Sequence, residues 1–255
     1  MSEEKSNVKD YNEKISKESI AKMIDHTLLK PTASEKEILT LCNEAKENKF
    51  ASVCVNPRWL PCVAANLYES GVKICTVVGF PLGANSTWVK AEEAAHSIFV
   101  GADEIDMVAD IGSLLAGCYQ AVKTDIETVV LACRDSARKT GRNVVVKVII
   151  ETCYLSDEQI KTACRLVCEA GADFVKTSTG FGVPSVDLNG NQVPSGATVH
   201  AVELMSASLK EYCPDNSVKI KAAGGIKSAE FALQLIKAGA SRIGTSSGIK
   251  ILSEL

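Results

Sequence analysis

Four ionisable residues stand where a buried strand would carry aliphatic ones. Asp106 interrupts Glu104-Ile105-Asp106-Met107-Val108, and Lys147 lies within Val144-Val145-Val146-Lys147-Val148-Ile149-Ile150. Lys176 follows Phe174-Val175, and Lys221 follows Val218-Lys219-Ile220. Strand side chains alternate between two faces, so each charge shares its face with residues two away. On the other face stand Ile105, Val146, Val148, Val175 and Ile220, the aliphatic set that a covering layer of helices needs. The charges are thereby directed to the interior. A lone strand lysine is more often a surface residue with its stem laid along apolar atoms. Lys219, nearer the start of its strand, fits that description. Four charges at equivalent places in such runs do not.

Charges grouped in an interior need partners, because desolvation costs several kcal/mol per ion. One aspartate cannot balance three lysines. One lysine relieves the excess by staying neutral, since burial and a neighbouring ammonium both disfavour its charged form. Bringing a lysine from about 10.4 down to about 7 takes roughly 4 to 5 kcal/mol of differential interaction. A neutral amine in an enclosed interior is a nucleophile toward carbonyl carbon, which is the entry to Schiff-base chemistry.

Three glycine- and hydroxyl-rich turns accompany these residues: Thr177-Ser178-Thr179-Gly180, Ala223-Gly224-Gly225 and Gly244-Thr245-Ser246-Ser247-Gly248. Glycine lets backbone N–H groups approach an anion, and hydroxyls add donors. A Gly-Gly pair also serves any tight turn. Two such turns after the last two strands favour a phosphorylated ligand, because barrel enzymes often bind phosphate there.

The elements that must position these residues follow from the periodicity. Strand-like runs cover 24–28, 51–55, 73–78, 104–108, 143–150, 173–177, 218–221 and 241–245. Amphipathic helical stretches over 35–48, 90–100, 118–140, 156–170, 199–212 and 228–238 lie between them, several ending in Ala-Gly or Gly-Ala. Strand–helix alternation with short connections implies parallel strands joined by right-handed crossovers. Eight units in one uninterrupted chain of 255 residues predict a single-domain α/β fold, a (β/α)8 TIM barrel over 20–255, after a polar extension over 1–19. The Gly-, Pro-, Ser- and Asn-rich stretch 182–196 reads as a long loop after the sixth strand.

The formal net charge is −3 with no basic run, so nucleic acid is not expected as a partner. The N-terminal stretch lacks an apolar signal core, and no apolar run approaches the roughly 18 residues of a membrane span. A cytoplasmic protein without a membrane partner is the expectation. Ten cysteines are scattered without a C-x-x-C pair, and three histidines leave a zinc site few ligands. Cys164 and Cys168 lie one helical turn apart. We read the cysteines as free, largely buried thiols, in preference to a metal or disulfide role.

The chain resembles the deoxyribose-phosphate aldolase family from Ile24 to about Gly248. The resemblance rests on Ile24-Asp25-His26-Thr27-Leu28-Leu29-Lys30-Pro31, Ser52-Val53-Cys54-Val55-Asn56-Pro57, Val77-Val78-Gly79-Phe80-Pro81-Leu82-Gly83, Gly101-Ala102-Asp103-Glu104-Ile105-Asp106-Met107-Val108, Lys147-Val148-Ile149-Ile150-Glu151-Thr152, Phe174-Val175-Lys176-Thr177-Ser178-Thr179-Gly180-Phe181-Gly182 and Lys221-Ala222-Ala223-Gly224-Gly225-Ile226. It implies reversible cleavage of 2-deoxy-D-ribose 5-phosphate to acetaldehyde and D-glyceraldehyde 3-phosphate, without metal or organic cofactor. Lys176 would form the Schiff base, Lys221 would keep it deprotonated, and Asp106 would relay protons through water. Gly180, Gly224, Gly225, Gly244, Ser246 and Ser247 match the family's phosphate site. Asp25, Thr27, Cys54, Lys147 and Thr179 match positions around its pocket. A homo-oligomer, dimer or higher, is implied as well.

The chain departs from the family pattern in places. Residues 183–194 look like an insertion beside the site's mouth, Phe181 replaces a lysine that some members place there, and Ala109-Asp110 replaces a common Ile-Asn. The last residue, Leu255, comes before the tyrosine-ending tail of some members. The chemistry is expected to survive these changes. Cys54 could also be a reactive thiol, although no residue near it in sequence lowers its pKa. Rival readings are another phosphate-binding barrel enzyme, such as an isomerase, and an inactive barrel used as a scaffold.

Overall fold

The computed structural model describes residues 16–183, 185–186 and 192–255. Each run read as a strand forms one: β1 (Ile24–Leu28), β2 (Ser52–Val55), β3 (Lys73–Val78), β4 (Glu104–Val108), β5 (Val145–Ile149), β6 (Phe174–Lys176), β7 (Lys219–Ala223) and β8 (Arg242–Thr245). All pair in parallel, and β1 pairs with both β2 and β8, which closes the barrel. The described helices are α1 (Lys17–Ala21), α2 (Glu35–Glu47), α3 (Leu60–Leu67), α4 (Thr87–Val100), α5 (Ile111–Leu115), α6 (Tyr119–Thr140), α7 (Asp157–Glu169), α8 (Val199–Tyr212), α9 (Ala229–Ala238) and α10 (Gly248–Ser253). The fold is a (β/α)8 TIM barrel.

The alternation of side chains builds the layers. Ile105, Val146, Val148, Val175 and Ile220 belong to the apolar core between barrel and helices, with apolar faces such as Val129, Cys133 and Ile126 of α6 packed in the same core. Lys219, at the start of β7, is exposed as its position suggested. Local signals set several helix starts. Ser34 and Glu37 form a reciprocal capping box on α2, and Ser156 with Gln159 does the same on α7. Ser34→Ala is expected to lower unfolding stability by about 1 kcal/mol, read from urea denaturation.

Three features differ from the sequence expectation. Helix α3 lies outside the helical stretches read from the sequence. Proline is tolerated in a first helical turn, and a 3-10 turn over Pro57–Trp59 leads straight into α3. Cys168 and Cys213 are joined as a disulfide, which corrects the reading of free thiols for these two. They lie at the C-terminal ends of the adjacent helices α7 and α8 with Cα atoms 6.3 Å apart, a proximity that a separation of 45 residues does not signal. In the 183–194 segment, Ser185–Val186 and Gln192–Val193 pair as two short antiparallel strands. Residues 184 and 187–191, and most of the N-terminal extension (1–15), lie outside the described residues. Among the described residues no helix is long and apolar enough to cross a membrane.

Candidate active site

Strand register brings the four sequence-flagged charges together. Asp106 on β4 stands opposite Lys147 on β5, and Lys176 on β6 stands opposite Lys221 on β7. All four are buried in the barrel interior. Lys147 Nζ donates to Asp106 Oδ1 at 2.7 Å, and Lys176 Nζ and Lys221 Nζ both donate to Asp106 Oδ2 at 2.7 Å. Two amines on one oxygen can be no farther apart than twice that distance.

The cluster is larger than the sequence reading foresaw. Lys147 also reaches Glu104 Oε2 at 2.7 Å, and Lys221 reaches Asp25 Oδ2 at 2.5 Å. Arg242 on β8 bridges Asp25 at 2.5 Å and Glu104 at 3.0 Å, and Ser52 donates to Asp25 Oδ1 at 2.7 Å. Four cations (Lys147, Lys176, Lys221 and Arg242) thus meet three carboxylates (Asp25, Glu104 and Asp106), among the described residues. Glu104 was readable in principle, since it lies two residues before Asp106 on the same strand face. Arg242 sits at the start of a short, polar strand and left no such signal.

Burial disfavours the charge on Asp106, but Lys147, Lys176 and Lys221 overrule it and hold the carboxyl well below the usual range. Asp25 is depressed in the same sense, with Lys221 and Arg242 opposing its burial. Burial likewise opposes the charge on Lys147 and Lys221. Asp106 leads the carboxylates that raise both above the ordinary lysine range. Both therefore stay ammonium at neutral pH. Lys147 has contacts to three carboxylates and Lys221 to two, whereas Lys176 has one, Asp106.

Cys54 pairs with Cys75 across β2 and β3. The hydrogen bond between them lowers the Cys54 thiol against the effect of burial, while burial raises Cys75. A partner on the next strand, rather than a sequence neighbour, supplies this effect. Sulfur and oxygen atoms of Cys54, Cys75 and Asp106 lie within 4.8 Å of one another. A cation there would compete with three amines already on Asp106.

Above the cluster opens a cavity of about 320 Å³. Its wall includes Thr27, Lys176, Thr179, Gly180, Gly224, Gly225, Gly244 and Ser246 from the sequence-predicted set. Asp25, Cys54, Asp106, Lys147 and Lys221 are buried residues that are not part of this wall. Ser247 is not part of it either, and its N–H donates to Thr245 Oγ1 at 2.9 Å. Gly224 has φ +87°, and a Cβ there would fall 3.0 Å from Gly196 Cα. Glycine alone suits so close a backbone approach. At Gly244 a Cβ would come within 3.0 Å of Lys221 Cε, so the missing side chain leaves room for the lysine stem.

Two further cations line the cavity, Lys30 and Lys227. Lys30 is paired with Glu37 at 2.5 Å, whereas Lys227 has no carboxylate partner among the described residues. Lys227 escaped sequence reasoning because a lysine after a glycine turn is unremarkable. Phe181 meets Phe80 edge-on across the mouth, with ring centroids 5.3 Å apart.

A buried cluster of lysines and carboxylates thus lies beneath a glycine-lined cavity within a closed parallel barrel. The family model for DeoC/LacD family aldolases matches residues 19–254. The chain belongs to that family. A deoxyribose-phosphate aldolase of Carboxydothermus hydrogenoformans is 52% identical over 241 residues, covering 94% of this chain and 97% of the relative. Among solved structures, an aldolase designated QR15 matches with a TM-score of 0.78 and 40% identity, covering 92% of this chain and 95% of that one. A deoxyribose phosphate aldolase of Aeropyrum pernix, described as tetrameric, matches with a TM-score of 0.79 and 32% identity, covering 93% and 91%. The chain is an enzyme, a carbon–carbon lyase of the aldolase type.

Proposed function

We propose that the protein reversibly cleaves 2-deoxy-D-ribose 5-phosphate to acetaldehyde and D-glyceraldehyde 3-phosphate through a Schiff base on Lys176. The observation that carries this is the sharing of Asp106 Oδ2 by Lys176 and Lys221 beneath the glycine-lined cavity. Four cations against three carboxylates leave one positive charge in excess. Lys147 and Lys221 are held as ammonium by several carboxylates, so Lys176, with one carboxylate contact and a place on the cavity wall, is the amine assigned to the carbonyl.

The neutral Nζ adds to C1 of the open-chain sugar, and the carbinolamine takes up a proton and loses water to give the protonated imine. Removal of the C3 hydroxyl proton breaks the C2–C3 bond, and its electron pair passes into the imine to form an enamine. Glyceraldehyde 3-phosphate leaves, a proton returns to C2, and water releases acetaldehyde and Lys176. Asp106 moves these protons through water. Three amines hold its carboxyl well below the usual range, so it is ionised at neutral pH.

The phosphate is placed against the backbone N–H groups near Gly180, Gly224, Gly225 and Gly244, with Ser246 beside them and Lys227 as the unpaired cation. Lys227→Ala is expected to raise KM for the phosphorylated sugar about tenfold, in line with one charge-assisted hydrogen bond, and to leave unphosphorylated deoxyribose turnover unchanged. Steady-state kinetics on both sugars checks this. Like the relative from Aeropyrum pernix, the protein is proposed to work as a homo-oligomer.

Incubation with 2-deoxyribose 5-phosphate tests the reading. Appearance of acetaldehyde and glyceraldehyde 3-phosphate in equal amounts supports it. Binding of the sugar without either product counts against it.

A further inference from the structure

Glu151 is a buried carboxylate just beyond β5, and it takes no part in the lysine cluster. Its backbone is left-handed, with φ 53°, an uncommon conformation for a residue other than glycine. Such strain persists where surrounding contacts fix it. On either side of it, Ile150 N–H donates to Lys176 O at 3.0 Å and Thr152 N–H to Thr177 O at 2.9 Å. The segment is therefore pinned along the Schiff-base strand and its loop.

The Glu151 carboxylate points at that loop. Thr179 N–H donates to its two oxygens at 3.1 and 3.2 Å, and Thr179 Oγ1 donates to Oε2. Phe181 N–H in turn donates to Thr179 Oγ1 at 3.0 Å. Gly182 makes room, since a Cβ there would meet Cys153 Sγ at 2.8 Å and Glu151 Cδ at 3.4 Å.

A threonine hydroxyl has one proton and two lone pairs. In Thr179 the proton is committed to Glu151 and one lone pair to Phe181. What remains is a single acceptor site on a side chain that lines the cavity together with Lys176 and Gly180.

We propose that Glu151 is a specificity-determining positioning residue that fixes Thr179 as a hydrogen-bond acceptor for a substrate hydroxyl lying between the reacting carbonyl and the phosphate. The inference deepens the aldolase reading and rests on it. The substrate class it selects is a 2-hydroxyaldehyde phosphate over its 2-deoxy counterpart. With Gln at 151, the amide can donate to Thr179 Oγ1, which frees the threonine proton to turn toward the cavity. The acceptor then becomes a donor.

The test is condensation of acetaldehyde with glyceraldehyde 3-phosphate and, separately, with 3-phosphooxypropanal, which lacks the 2-hydroxyl. The wild-type ratio of kcat/KM is expected to favour the hydroxylated aldehyde, and Glu151→Gln is expected to reduce that ratio about tenfold, mainly through KM of the hydroxylated one. A merely structural carboxylate would affect both aldehydes alike, so an unchanged ratio in Glu151→Gln overturns the proposal. Should that variant fail to fold, the wild-type ratio is followed with pH. Burial raises the Glu151 carboxyl above its usual range, against the hydrogen bonds from Thr179 and the charge of Lys176. Protonation on lowering pH is then expected to erode the ratio, and a flat ratio overturns the proposal. Lys176 and Cys153, the other titratable groups against Glu151, act on both aldehydes alike. A wild-type protein that condenses neither aldehyde sinks the aldolase reading instead, so the two failures are distinct.

Discussion

Lys176→Ala is expected to reduce turnover of 2-deoxyribose 5-phosphate by roughly 10³-fold or more, because covalent catalysis is lost and not merely weakened. The fold should tolerate the change. Without Lys176 the interior holds three cations, Lys147, Lys221 and Arg242, against three carboxylates, and Asp106 keeps two ammonium partners at 2.7 Å. Assays of turnover alongside thermal denaturation check both halves. A variant with near-wild-type turnover would remove Lys176 from the mechanism.

Lys221→Leu is expected to displace the acid limb of the pH–rate profile upward by about 2 pH units, the effect of one unit charge at about 5 Å in an effective dielectric near 20. The sign follows from the charge count. Asp106 and Asp25 overrule burial and keep Lys221 an ammonium well above neutral pH, so in the wild type it sets the excess positive charge beside the Lys176 amine on the shared Asp106 oxygen. Without it, three cations balance three carboxylates, and the interior no longer holds a positive charge in excess. At neutral pH the rate should fall roughly a hundredfold, with recovery at high pH. An active Lys221→Leu enzyme with an unmoved profile would contradict the assigned role.

The barrel and the four central charges were legible because both rest on the alternation of strand side chains. Ile105, Val146 and Val148 marked the outer face, so Asp106 and Lys147 had to point inward. The charge balance was read incompletely. Asp25, Glu104 and Arg242 complete it through contacts between strands far apart in sequence, and barrel closure, rather than local sequence, places β1, β4 and β8 around one interior. The glycine turns were visible as composition. Which of their residues face the cavity depends on backbone direction, and so Ser246 lines it while Ser247 does not. Glu151 and Lys227 were hidden for different reasons. Glu151 stood at a strand end where an acidic residue usually meets solvent, yet it is buried. Lys227 looked like any surface lysine. The Cys168–Cys213 disulfide joins the ends of two helices that are neighbours in space, a packing the cysteine spacing does not signal.

The most direct test of a neutral, nucleophilic Lys176 is borohydride reduction of the wild-type protein in the presence of acetaldehyde, followed by peptide mapping. A single ethyl group on Lys176, absent from the Lys176→Ala variant, is the predicted result. Modification centred on Lys221 or Lys147 with Lys176 untouched, or no modification of any interior lysine, would contradict the mechanism.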